Sequence, residues 1–229
     1  MDSWARRRAI IDASDSVAAL IADDTRQVVV PSCPEWTLEE LAWHLGVVQR
    51  FWAVNVLARD TAAPVETIDD DIARESAAFA AWCRDSTAQL IDALDSLEED
   101  APCWTWWGEP ASAGAVARHQ VQEAVVHAWD AANALGIATP LPLDAALDGV
   151  PEFLHVHRSS LVVPADRALT FHASDADASW TIGTGETTTI SASASDLVLY
   201  LHRRRPLEGL NVAGDPEVVH ATLAGVDLS

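Results

Sequence analysis

Apolar positions recur at helical spacing through the first 140 residues. From residue 3 to about 25, Ile10, Ile11, Val17, Leu20 and Ile21 fall near one face, and the run ends in the polar Asp23-Asp24-Thr25, which predicts a first amphipathic helix. Pro31 and Pro34 forbid a helix in the following Val28–Trp36 stretch and predict an extended connector. Thr37-Leu-Glu-Glu40 has the form of a capping box, so a second helix is expected from there to about Arg59. Asp69-Asp-Asp71 supplies acid for the positive end of a third helix, placed at 70–97 with Ile72, Phe79, Trp82, Leu90, Ile91 and Leu94 inward. The Trp-rich break from Pro102 to Pro110 reads as a packed loop. A fourth helix fits Ala111–Leu135, with Gly136 as its stop. Four such helices joined by short links make a bundle.

The texture changes after Pro140-Leu-Pro. One more helix is expected at 144–160, and β-branched residues cluster at 168–173, 180–182 and 186–192, which read as short strands. Ser195 is expected to cap a helix running to Arg204. Leu210–Gly214 adds a strand, and Asp215-Pro216 starts a last helix. The chain therefore divides into residues 1–140, all helical, and residues 141–229, a small α+β domain; the fold class is mainly α.

Composition narrows the partners. The 229 residues carry a formal charge of −21, and all 14 basic residues are arginine. Such a chain repels phosphate backbones and anionic leaflets, so neither nucleic acid nor membrane is expected as a partner, although a local arginine cluster could hold a small anion. With 49% hydrophobic residues and ten Trp to bury, disorder is not expected. Cys33, Cys83 and Cys103 form no paired framework, which fits reduced thiols. The acids at 12, 15, 23 and 24 interrupt any secretory apolar stretch, and no run approaches a membrane span, so the expected setting is soluble and cytoplasmic.

Glu123 and His127 stand four apart on the expected fourth helix, where both project from one face and could grip one metal ion. Two ligands are too few for zinc, and His44, set in an apolar stretch of the second helix beside Gly46, is the natural third. His119 also stands four residues from Glu123, so periodicity leaves open which histidine pairs with it. An i,i+4 Glu/His pair is also common on solvated helix faces, and a lone His on an apolar face can be a hydrogen-bonded core residue.

Two segments carry a family resemblance. Val30-Pro-Ser-Cys-Pro-Glu-Trp-Thr, followed by a helix with His44-Leu-Gly, resembles the Pro-x-Cys-Pro-Gly-Trp-Thr … His-Leu segment of mycothiol-dependent maleylpyruvate isomerase-like proteins. Arg118-His-Gln-Val-Gln-Glu123-Ala-Val-Val-His127-Ala-Trp-Asp130 is similar to the family's later Arg, then His-Glu-x-x-x-His-x-x-Asp stretch. The resemblance implies a DinB-like four-helix bundle holding a divalent metal, usually zinc, through His44, Glu123 and His127. Asp130 and Arg118 become supports of that site, with a purely structural Arg118 as the alternative. The stretch Asp196–Pro206 with Asn211–Asp215 also resembles the family's second domain, whose arginine helps hold substrate, which makes Arg204 and Arg205 the candidates there. Glu35 stands where the family usually has Gly, Gln122 where it often has His, and His202 where the second domain often has Gly.

The resemblance further implies mycothiol as the thiol cofactor or co-substrate. Metal-bound thiolate would add to a small electrophile, anionic and unsaturated, in an isomerase or an S-transferase. An arginine could meet the acceptor's carboxylate bidentately, or could simply favour the carboxyl end of its helix. The same bundle could instead activate water as a hydrolase, or hold a ligand without turnover.

Overall fold

A computed structural model of the chain describes residues 1–22, 24–62, 64 and 78–228. Two compact units divide it, Met1–Thr139 and Pro140–Ser229.

The first unit is built on four long helices. Helix α1 spans Ser3–Leu20, capped by Asp2, whose carboxylate accepts from the Ala5 amide. The first unit is not all helical as expected, because the connector after α1 pairs with itself: β1 (Val29–Val30) and β2 (Cys33–Thr37) run antiparallel. Helix α2 spans Leu38–Ala58 and starts with the expected capping box. The Glu40 amide donates to Thr37 Oγ1 (3.3 Å), and the Thr37 amide donates to Glu40 Oε2 (2.8 Å). Arg59, with φ 55°, ends it in the left-handed region. Helix α3 spans Phe79–Asp95; the turns expected at 70–77, with the Asp69–Asp71 acids and Ile72, lie outside the described residues. Helix α4 spans Ala113–Ala134, capped by Ser112 and followed by Gly136 at φ 70°. The apolar stripes of these helices meet in a core that includes Val17, Leu38, Leu41, Leu45, Phe79 and Ala131.

Gly46 on α2 is the close approach that its position suggested. A Cβ there would run into the six-membered ring of Trp82 from α3, so a glycine lets this indole lie against the α2 backbone. Arg50, one turn on, places its guanidinium 5.1 Å from the centre of the same indole. Not every tryptophan is buried as composition suggested: Trp4 and Trp106 keep 72% and 49% of their surface exposed.

In the second unit, helix α5 (Leu143–Val156) continues through Pro151. Strands β3 (Arg167–Ala173), β4 (Ala178–Gly183), β5 (Glu186–Ala192) and β6 (Asn211–Ala213) form one sheet in the order β4-β3-β5-β6. The β3–β5 pair is parallel and the others are antiparallel. The chain passes from β4 to β5 around the start of β3 with only two residues between the strands. Gly185 makes that possible: its φ is 121°, and a Cβ would collide with the Asp166 carbonyl oxygen. Leu169, Phe171 and Ile190 are buried on the face that helices α6 (Ala194–Leu201) and α7 (Pro216–Leu223) pack against. This is the α+β part of a mainly α protein.

Helix α6 differs from expectation at both ends. Its cap is Ser193, not Ser195: the Asp196 amide donates to Ser193 Oγ at 3.1 Å. Ser195 lies inside the helix, where its hydroxyl accepts from the Leu141 amide (2.9 Å). The helix stops at Leu201 rather than Arg204, because Arg203 turns left-handed (φ 62°) and the Arg204 amide bonds back to the Leu199 carbonyl (2.7 Å). The residue of this turn that occupies glycine's conformational region is therefore Arg203; His202 has an ordinary φ of −84°. Among the described residues no helix is long and apolar enough to cross a membrane.

Candidate metal centre

The packing of α2 against α4 brings His44 to the Glu123/His127 pair. His44 Nε2 lies 3.0 Å from Glu123 Oε1, and His127 Nε2 lies 3.3 Å from the same oxygen. One ligand atom from each of the three residues falls within 4.8 Å of the others. The imidazole rings meet edge to face, with centroids 5.2 Å apart. His119, which periodicity left as the alternative, is elsewhere. Its ring packs against Trp107 at 4.8 Å, with Trp106 at 5.9 Å and Trp52 at 6.4 Å.

A buried carboxylate orients one of these rings. Asp130, fully buried one turn along α4, sets Oδ2 3.1 Å from His127 Nδ1, and Ser32 Oγ donates to its Oδ1 at 2.5 Å. Asp130 therefore keeps a proton on Nδ1 and leaves Nε2 to face His44 and Glu123, the arrangement that fixes a metal-binding histidine. The donor set is also chemically suitable: two imidazole nitrogens and one carboxylate are the ligands of many zinc sites that keep an open position. By these criteria the residues fit a divalent cation.

The electrostatics follow from the same contacts. Burial opposes the charge of His127, but the Glu123 carboxylate and the hydrogen bond to Asp130 outweigh it and raise its pKa to about 9. Burial likewise favours a neutral Glu123, yet the charge and hydrogen bonds of His127 and His44 hold its carboxyl well below the usual range. Without a cation, one carboxylate oxygen thus accepts from both histidines, and His127 carries the proton that a metal must displace.

Sequence reasoning assigned no role to Ser32 or Trp36. Trp36, at the end of β2, lays its indole 4.6 Å from the His44 ring and 6.2 Å from that of His127. Both residues sit in the Pro-Ser-Cys-Pro-Glu-Trp segment, but no periodicity connects a loop serine with an aspartate 98 residues away. Gln120 is a buried polar residue of the same helix as Asp130. It lies three residues before Glu123 on α4, is 1% exposed, and neither amide atom has a hydrogen-bond partner among the described residues. Arg118 is half-buried on the same helix.

The candidate arginines belong to the second unit, in the turn after α6. Arg203, Arg204 and Arg205 line a cleft of about 490 Å³ together with Tyr200, Phe153 and His220. Arg204 Nη1 donates to the His202 carbonyl (2.7 Å), and Arg205 Nε pairs with Asp196 Oδ1 (2.5 Å).

The fold has counterparts among known proteins. A crystal structure of the mycothiol-dependent maleylpyruvate isomerase matches with a TM-score of 0.68 and 16% identity, covering 93% of each chain. A histidine-to-alanine mutant of that isomerase matches with a TM-score of 0.66 and 17% identity, over 91% of this chain and 90% of that one. Likeness at such identity shows a shared fold. No match was found among curated proteins. The model of the mycothiol maleylpyruvate isomerase N-terminal domain matches residues 7–132, which include the whole His44, Glu123 and His127 cluster with its Asp130 support. A match over more than half of the chain, centred on the helices that build the site, makes the protein a member of the mycothiol maleylpyruvate isomerase family.

Proposed function

We propose that the chain is a metal-dependent enzyme of mycothiol, adding the thiol sulfur to a small unsaturated electrophile that bears a carboxylate. It acts either as an isomerase, which eliminates the thiol after bond rotation, or as an S-transferase, which releases the adduct. The observation that carries this reading is the convergence of His44, Glu123 and His127 within 4.8 Å, supported by membership of the family. A divalent cation, with zinc as the best fit to this donor set, would lower a thiol pKa so that the sulfur reacts as thiolate at neutral pH.

The protein's own residues supply the rest. Asp130 and Ser32 hold His127 in the tautomer that turns Nε2 inward, and Trp36 packs its indole against the His44 imidazole. Two of the chain's three thiols, the buried Cys83 and Cys103, are poor candidates for the nucleophile. Burial pushes Cys83 up to about 12 and Cys103 up to about 11, so neither is a thiolate near neutral pH. In the second unit, Arg204 and Arg205 are proposed to bind the acceptor's carboxylate, the pairing for which a guanidinium is shaped. Arg205 would exchange its bond to Asp196 for the substrate.

The test is calorimetric titration of mycothiol into metal-free and zinc-loaded protein, with metal content measured for four variants. Zinc-dependent mycothiol binding is expected, lost with the metal in His44→Ala, Glu123→Ala and His127→Ala. His119→Ala should keep stoichiometric zinc. Thiol-independent hydrolysis, or zinc retained by His127→Ala but lost by His119→Ala, would overturn the reading.

A further inference from the structure

The aromatic cluster beside the candidate metal centre has no part in the chemistry above. His119 lies four residues before Glu123 on α4, about 6 Å along the helix and on the same face. Its imidazole is flanked by Trp107, Trp106 and Trp52 at the distances given above, and Trp104 stacks on Trp52 with centroids 6.0 Å apart and planes 23° from parallel. On α2, Val48 and Phe51 follow His44 at i+4 and i+7, so they continue its face toward these rings. Val48 and Phe51 are half-buried, and so are Ala115, His119 and Glu123 on α4. Leu45, Gln49, Val116 and Gln120, which point further inward, are buried. A strip of partly exposed side chains therefore runs along the α2–α4 seam from the triad to the rings. At its end stands Trp106, 49% exposed, edge-on to Trp107 with ring centroids 5.4 Å apart.

We infer that Trp106, backed by His119 and the buried Trp107, forms an acceptor subsite for an aromatic ring, so that the electrophile used at the triad carries an aryl group. This rests on the function proposed above and names its substrate class. One helical turn separates Glu123 from His119, a span that a conjugated acceptor bridges when its ring is attached through a single carbonyl or imide. The exposed indole of Trp106, held edge-on against the buried Trp107, offers a surface to such a ring at the spacing aromatic pairs favour.

The test compares two stable adducts of mycothiol, its thioethers with N-phenylmaleimide and with N-methylmaleimide, titrated into the zinc-loaded protein. The N-phenyl adduct should bind about tenfold more tightly, as a gain of ring contact predicts. Trp106→Ala should abolish the difference, and Trp106→Phe should restore most of it. Because Trp106 is half exposed, its removal should leave the thermal transition in place. Equal affinities in the unmodified protein would overturn the proposal. So would a difference that survives Trp106→Ala, or an equal loss for both adducts, which would assign that surface to the thiol carrier. If neither adduct binds, the mycothiol reading fails, and the subsite is judged by a titration of thiol-free N-phenylsuccinimide followed by tryptophan fluorescence. Saturable quenching that disappears in Trp106→Ala supports the subsite; no quenching in the unmodified protein overturns it.

Discussion

Asp130→Asn removes the negative charge behind His127 while keeping the shape of the side chain. In the metal-free protein the His127 pKa is raised to about 9 by Glu123 and Asp130 acting against burial. At pH 8 a group with that pKa is about nine-tenths protonated, whereas an unperturbed imidazole would be only about 3% protonated. Zinc binding at pH 8 should therefore expel close to one proton from His127, and competition with that proton should weaken apparent affinity by about tenfold, or about 1.4 kcal/mol. Without the Asp130 charge the His127 pKa should fall by about 1–2 units, so the variant should release between about half a proton and a tenth. Calorimetry in buffers of different ionisation enthalpy measures this release directly, as the slope of observed heat against buffer enthalpy. Glu123 adds nothing to it, because its carboxyl is already ionised. Equal proton release from the two proteins would refute the account of how Asp130 acts, and release near zero from the unmodified protein would refute the raised His127 pKa itself.

The same linkage sets the pH dependence of the metal-free fold. His127 has a raised folded pKa, so its contribution is complete below the unfolded value of 6.5 and is lost as pH rises through about 9; urea midpoints should fall over that window, and a flat profile would contradict it. Gly46→Ala should destabilise the bundle by up to about 2 kcal/mol, since displacing the Trp82 indole costs more than the roughly 1 kcal/mol of helix propensity gained. A rise in its chemical-denaturation midpoint would show that Trp82 yields freely. Gln120→Met should raise stability by about 1–3 kcal/mol by removing two buried, unpartnered polar atoms, and a loss of stability would show that the amide is satisfied in solution.

Local physics made much of this protein legible in its sequence. The Thr37/Glu40 capping box starts α2 as its side-chain chemistry requires, and Gly136 follows α4 with a positive φ. The i,i+4 relation of Glu123 and His127 needs only a helix. Ser193 displaced Ser195 as the cap of α6 because both serines can cap, and the choice depends on where the strand before them ends. The histidine that joins Glu123 and His44 was harder still. His119 and His127 each stand one turn from Glu123, on opposite sides, and helical periodicity treats them alike. What separates them is the tertiary neighbourhood: α2 and β2 bring His44 and Trp36 to His127, while the Trp-rich loop closes over His119. Ser32 reaches Asp130 across 98 residues of chain, and β4 passes around β3 to β5 because Gly185 allows it. The sequence by itself determined which faces were apolar and where helices began and stopped, since those depend on neighbours within a turn or two. Which faces met, and so which side chains shared a proton or could share an ion, was decided only when distant segments packed together.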